Sequence, residues 1–223
     1  MNTVNYWAKL KKLPNYDILN KCLQILEKLH NKGQNNWFSK IGQIMAGANI
    51  PEWVSGEPGL IAKDVKLKLY AKEQIKSLNE INDSDKHPKL RTYKLFKTNF
   101  CLEPYLNLNL PKKTYGNIAR FRLSSHNLKI ETGRHSIPKI PKELRRCDKC
   151  NTGDIEDEIH CLLICANNTV PRTDLLSVTS DKISDFYQLN KTQQFKALMS
   201  DKRPEIIQAV GSYLNKVMSL TKY

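Results

Sequence analysis

No apolar run in this chain approaches the roughly 18 residues that a membrane-spanning helix requires, and residues 1–30 lack the apolar core of a signal peptide. Those two absences argue against a membrane protein and against secretion, and predict a soluble intracellular chain of the nucleus or cytoplasm. Acidic charge is scarce in one place. Between Lys86 and Arg146 only Glu103, Glu131 and Glu143 stand against fifteen lysines and arginines, so this segment carries +12 of the net +14. The remainder is close to neutral, which makes the basic character a local property. With 40% hydrophobic residues the chain has enough apolar content to build a core, and 223 residues allow one large domain or two small ones.

Of six cysteines, four are clustered near a single histidine. Cys147-Asp-Lys-Cys150 is followed by Ile155-Glu-Asp-Glu-Ile-His160-Cys-Leu-Leu-Ile-Cys165. Two thiols three positions apart, a histidine, and a thiol five positions after it supply the donors that tetrahedral zinc prefers. The spacing predicts a structural Zn2+ site on Cys147, Cys150, His160 and Cys165. Asn151-Thr-Gly153 is turn chemistry that can bring the first pair round one ion. Asp154 is placed to cap a short helix carrying His160, with Glu156, Asp157 and Glu158 in its first turn. On an unbroken α-helix Cys165 would lie about 140° around the axis from His160, so the helix must loosen before it. Cys161 is the rival ligand, but it adjoins His160 and points elsewhere. Three thiolates and one imidazole close the coordination sphere, so the metal would hold structure and catalyse nothing. The bland alternatives are reduced core cysteines or a disulfide pair.

The remaining pattern is mainly α: a helical module with a small CCHC zinc knuckle and C-terminal helices. Apolar residues Ile18, Leu19, Cys22, Leu23, Ile25, Leu26 and Leu29 recur at three and four, predicting an amphipathic helix that ends at Asn31-Lys-Gly33. Further helices are predicted over 36–48, 60–81, 89–101, 113–124, 183–187, 191–200 and 204–220, with 2–12 too short and basic to stand unpacked. Polar Asn82-Asp-Ser-Asp-Lys-His-Pro88 is the best internal boundary. The expected division is 1–85, an N-terminal helical segment; 86–146, a basic segment; 147–165, the knuckle; and 166–223, C-terminal helices.

Aromatic residues Tyr93, Phe96, Phe100, Tyr105, Tyr115 and Phe121 are interleaved with the basic charges. Such a strip can neutralise phosphates and stack bases, although aromatics at helical spacing belong more often to a core. The charge concentration predicts an RNA or DNA partner.

These residues carry a family resemblance. Lys89-Leu-Arg-Thr-Tyr-Lys-Leu-Phe-Lys-Thr-Asn-Phe100, Arg120-Phe-Arg-Leu-Ser-Ser-His-Asn-Leu-Lys-Ile-Glu-Thr-Gly-Arg134 and the ordered Cys/His motif resemble the carboxy-terminal region of non-long-terminal-repeat (LINE-type) retrotransposon reverse transcriptases. The Tyr6-Trp7 start and the stretch from Trp37 to Trp53 resemble the segment after the polymerase core in that family. The resemblance implies a helical region beyond the thumb, ending in a zinc knuckle that helps hold template RNA or target DNA. It makes Lys89, Arg91, Lys94, Lys97, Arg120, Arg122, His126 and Arg134 candidate nucleic-acid contacts, with His126 open to a second reading as a satisfied buried histidine. It also implies the rest of a retroelement polyprotein as a possible partner.

One departure from the family matters: no Tyr-x-Asp-Asp turn occurs to hold two catalytic metal ions, so the chain is expected not to polymerise and not to be an enzyme. Beginning at Met1, it fits a truncated element copy, an excised piece or a host-retained module. Two alternatives stand beside the nucleic-acid reading. One is a helical protein-interaction scaffold exposing apolar stripes from 60–81 and the terminal helix. The other is a magnesium-dependent endonuclease using Asp174, Asp181, Asp185, Asp201 or Glu205, which lack convergent geometry.

Overall fold

The computed structural model describes residues 2–218, and they are mainly α-helical. Ten helices come in order: α1 (Asn2–Lys11), α2 (Ile18–Asn31), α3 (Trp37–Gly47), α4 (Pro58–Asn82), α5 (Tyr93–Phe96), α6 (Lys112–Arg122), α7 (Lys129–His135), α8 (Thr169–Lys182), α9 (Lys191–Ser200) and α10 (Pro204–Met218). Among the described residues the sole β pairing is an isolated antiparallel bridge between Arg146 and Ile155. Compact packing divides the chain into Met1–Ser77 and Leu78–Tyr223.

In the first unit α1, α2, α3 and the start of α4 surround Trp7, Phe38, Ile41, Met45, Trp53 and Val65. Local chemistry sets the helix ends. The Asp17 carboxylate accepts from Leu19 N–H to start α2, and Gly33 at φ +83° turns the chain out of it. Asn36 and Ser39 exchange side chain-to-backbone bonds in a capping box that opens α3. The short basic α1 is stabilised by burying Val4, Trp7, Ala8 and Leu10. The predicted stripe of α2 is buried unevenly: Leu23 is in the core, whereas Ile18, Leu19 and Ile25 are exposed. Beyond Val65, α4 extends with Leu67, Tyr70 and Ile75 exposed.

In the second unit the expected segments 86–146, 147–165 and 166–223 share one core, in which Phe96, Phe121, Leu162, Leu175, Phe195, Ile206 and Leu214 pack together. Most of the interleaved aromatics belong to it: Phe96, Tyr105 and Phe121 are buried, Tyr93 and Tyr115 half-buried, and Phe100 is exposed. Helix α10 packs on α8 and α6 through Ile206, Ile207, Val210, Tyr213 and Leu214, so the apolar stripe of the terminal helix is core. Leu220, in the expected range of that helix, lies outside the described residues. Asn117 donates to Asn215, which in turn donates to Thr114, at 2.8 and 2.9 Å, tying α6 to α10. Close approach requires glycine at 211, because a Cβ there would sit 2.5 Å from Thr114 Cγ2. Gly211→Ala is therefore expected to destabilise the protein by about 1–3 kcal/mol, against the gain that alanine normally brings to a helix, as read from a urea midpoint.

The elements differ from expectation in five places. The helix expected over 89–101 is a 3-10 turn at Pro88–Leu90 followed by the single turn of α5, because Lys97 swings its ammonium onto Cys101 O at 2.7 Å and Glu103 at 2.7 Å as the chain turns. Helix α6 stops at Arg122. Ser124 takes φ +52° and Ser125 N–H reaches back to Arg120 O at 2.7 Å, a left-handed cap built without glycine. The sequence pattern predicts neither α7 nor α8. Helix α8 carries Pro171 at its third position, where a missing N–H costs nothing. The helix expected over 183–187 is only a 3-10 turn at Phe186–Gln188.

Candidate metal centre and the basic segment

The knuckle begins as a tight antiparallel turn. Cys147 N–H donates to Asp154 O and Glu156 N–H to Arg145 O, both at 2.9 Å, and Gly153 at φ +74° supplies the left-handed residue that closes it. Asp154 does not cap the helix beyond it, because its backbone belongs to this turn. The cap is Asp157, whose carboxylate accepts from His160 N–H at 2.8 Å. His160–Ile164 then forms a π turn in which Cys165 N–H bonds His160 O at 2.8 Å. Widening the turn from an i,i+4 to an i,i+5 bond brings residues five apart onto one side. Arg172 of α8 fixes the turn's far end, donating to Leu162 O at 2.9 Å and Cys165 O at 2.5 Å.

The result gathers four donor atoms. The ligand atoms of Cys147, Cys150, His160 and Cys165 all lie within 4.8 Å of one another. The sulfurs of Cys147 and Cys165 are 3.8 Å apart, and Cys150 Sγ is 3.4 Å from His160 Nε2. Cys147, His160 and Cys165 are buried and Cys150 is half-buried. This group can hold a metal ion. Cys161 is turned away: its carbonyl accepts from Tyr213 OH and from Asn168 Nδ2, and its thiol is buried in the core.

Burial pushes the Cys147 thiol up to about 12, partly offset by the Lys149 N–H directed at its sulfur, while hydrogen bonds from Thr152 hold Cys150 down to about 6. Lys149 pairs with Glu156 at 2.9 Å, and Glu156 lies 4.0 Å from Cys147 Sγ. Arg146 bonds Gly153 O at 3.2 Å, and Arg145 is turned onto the carbonyls of Ile140 and Ile130 at 2.9 and 2.8 Å. His160 Nδ1 is buried without a hydrogen bond and faces the Asp154 carboxylate at 3.6 Å.

The eight candidate nucleic-acid contacts fall into different environments. Arg122 and His126 are buried. Arg122 donates to Met199 O and Glu103 and lies 4.3 Å over the Phe96 ring, so charge reversal there reads out folding and not binding. His126 bonds Glu158 at 2.9 Å, so the reading as a satisfied buried histidine holds. Arg91 is half-buried and bridges Glu131 and Glu158, while Lys97 pairs with Glu103. Lys94 reaches Ser84 Oγ at 2.5 Å, and Arg134 lies 3.4 Å from Glu131. Lys89 and Arg120 are exposed.

The chain matches no family model, no curated protein and no solved structure. Its functional reading therefore rests on its own geometry.

A polar network centred on Glu158 escapes sequence reasoning. Its fully buried carboxylate binds Arg91 Nη2 at 2.7 Å, Ser124 Oγ at 2.5 Å and His126 Nε2 at 2.9 Å, linking the knuckle to the ends of α6 and α5. One signal was available: Glu103 and Glu131, two of the three acids in the basic segment, are both partners of its cations. Among the acids weighed for an endonuclease, Asp174 pairs with Lys216, Asp181 with Lys182 and Asp201 with Arg203. Among the described residues, the only metal-competent group of His, Cys, Asp and Glu is the knuckle. No described helix is long and apolar enough to cross a membrane.

Proposed function

We propose that this chain is a zinc-stabilised nucleic-acid-binding module without catalysis of its own, of the kind found at the carboxy terminus of LINE-type reverse transcriptases. Three thiolates and an imidazole suit zinc above other divalent ions, and the Cys147–Cys165 and Cys150–His160 separations of 3.8 and 3.4 Å lie near the tetrahedron edge of about 3.5–3.8 Å that Zn–S and Zn–N bonds of about 2.3 and 2.0 Å generate. Cys147, Cys150, Cys165 and His160 Nε2 would hold the ion, and the Asp154 carboxylate is placed to orient the imidazole through Nδ1. The site needs reduced thiols, which suits an intracellular compartment.

The single observation that carries the binding reading is where the excess charge points. The side chains of Lys89, Lys112, Lys113, Lys139 and Lys142 are exposed and make no hydrogen bond or ion pair among the described residues. Cations without protein partners are available to phosphates, the RNA or DNA of the resemblance. A rival scaffold reading rests on the exposed apolar side chains of α2 and α4. The two are separated by titrating a single-stranded RNA and a duplex DNA at about 50 and 200 mM salt. Phosphate binding weakens by at least tenfold over that range, and Lys112→Glu with Lys113→Glu weakens it further while leaving the thermal midpoint unchanged. Absence of binding at the lower salt removes the nucleic-acid reading.

A further inference from the structure

A cavity of about 350 Å³ opens between the turn at Pro88, α5, α7 and the 3-10 turn at Lys142. Five of its lining residues are cations, Arg91, Lys94, Arg134, Lys142 and Arg145, and none is acidic. Building on the nucleic-acid reading above, we propose that this cavity seats one phosphate group of the bound strand.

The cations are held rather than loosely solvated. Arg145 lies across α7 with its Nε on Ile140 O and its Nη1 on Ile130 O. Both partners are neutral carbonyls, so they fix the guanidinium without cancelling its charge. This pose depends on Gly133, where a Cβ would sit 2.8 and 2.9 Å from Arg145 Cγ and Cδ. Arg91 is anchored by Glu131 and Glu158, and Arg134 leans on the same Glu131 carboxylate at 3.4 Å. Lys94 is tethered to the uncharged Ser84 hydroxyl, and the Lys142 ammonium has no partner among the described residues. Glu131 and Glu158 are thus the acids that bear on the cavity, through Arg91 and Arg134, and Lys94, Lys142 and Arg145 remain unneutralised. Preorganised guanidiniums flanked by flexible ammoniums match the geometry and charge of a phosphate, and the cavity is large enough to admit one.

The test is fluorescence anisotropy of a short single-stranded RNA, 5′-hydroxyl and 5′-phosphorylated, on the full zinc-loaded chain at about 50 and 200 mM salt. Lys142→Glu reverses a cavity charge without touching a side-chain fold contact, Gly133→Ala displaces Arg145, and Lys112→Glu reverses a charge outside the cavity. The expected result is a loss of about tenfold for each of the first two, with the salt slope lowered by about one, against about two- to threefold for Lys112→Glu. Tighter binding of the 5′-phosphorylated strand identifies a terminal phosphate as the occupant, and equal binding an internal one. Cavity variants that bind like Lys112→Glu overturn the cavity and leave the module reading standing. A wild-type chain that binds neither strand overturns both.

Discussion

Cys165→Ser is expected to abolish tight zinc binding and to melt the second unit's packing around the knuckle, whereas Cys161→Ser is expected to leave metal binding intact and to cost only the ordinary penalty of a hydroxyl in a core. Structural zinc sites carry apparent binding free energies of about 10–16 kcal/mol, comparable to the whole net stability of about 5–15 kcal/mol of a typical domain. The knuckle is not a peripheral attachment. Leu162 and Leu163 of its π turn are core residues, and the same turn accepts hydrogen bonds from Arg172 of α8 and Tyr213 of α10. Loss of a bound ion would therefore release a segment against which α8, α9 and α10 pack. A thermal melt followed by circular dichroism is expected to show Cys165→Ser with a midpoint more than about 10 °C lower, insensitive to added zinc, and wild type shifted the same way by a strong chelator. Equal loss from Cys161→Ser and Cys165→Ser would mean that both thiols act only as core residues.

The second large effect belongs to Glu158. Glu158→Gln leaves Arg91 and His126 facing a fully buried neutral amide, and is expected to lower stability by about 3 kcal/mol or more, against less than about 0.5 for Glu143→Gln on the surface. Burial raises the carboxyl's pKa, but the hydrogen bond from His126, the Arg91 charge and the Ser124 hydroxyl outweigh it and hold the group at about 2, below its ordinary 4.5. A lowered native pKa means that the ionised carboxylate stabilises the fold fully above about 4.5, and that this contribution fades as the pH falls toward 2. Urea midpoints of wild type and Glu158→Gln should accordingly differ most near neutral pH and converge below about pH 4. A constant difference across that range would show that shape, and not charge, makes Glu158 necessary.

The metal-ligand set was legible because spacing alone constrains it: five positions between His160 and Cys165 do not fit one face of an α-helix, and the chain resolves this with a π turn. Helix α2 and helix α10 were legible from period and caps. The basic segment was not, because charge counting is blind to direction. Arg120 and Arg122 sit two positions apart on α6, so one is exposed and the other is held over Phe96 beside Glu103. Helix α7 escapes notice because Gly133 interrupts seven residues of mixed polarity, and its glycine makes sense only once Arg145 is seen lying on it. Helix α8 is hidden by Pro171, whose position in the first turn is harmless. Ser124 illustrates the same limit. A left-handed cap favours glycine, but the hydroxyl serves Glu158, a partner 34 residues away in sequence.

We propose that Cys147, Cys150, His160 and Cys165 hold one zinc ion that organises the second unit. Native mass spectrometry of the purified chain, with metal analysis and thiol labelling on the same sample, tests it most directly. One zinc per chain, with Cys147, Cys150 and Cys165 protected from alkylation until a chelator is added while the exposed Cys22 and Cys101 react at once, is the predicted result. A folded chain that carries no metal after preparation with zinc, or one whose three knuckle thiols react as fast as Cys22, would contradict it.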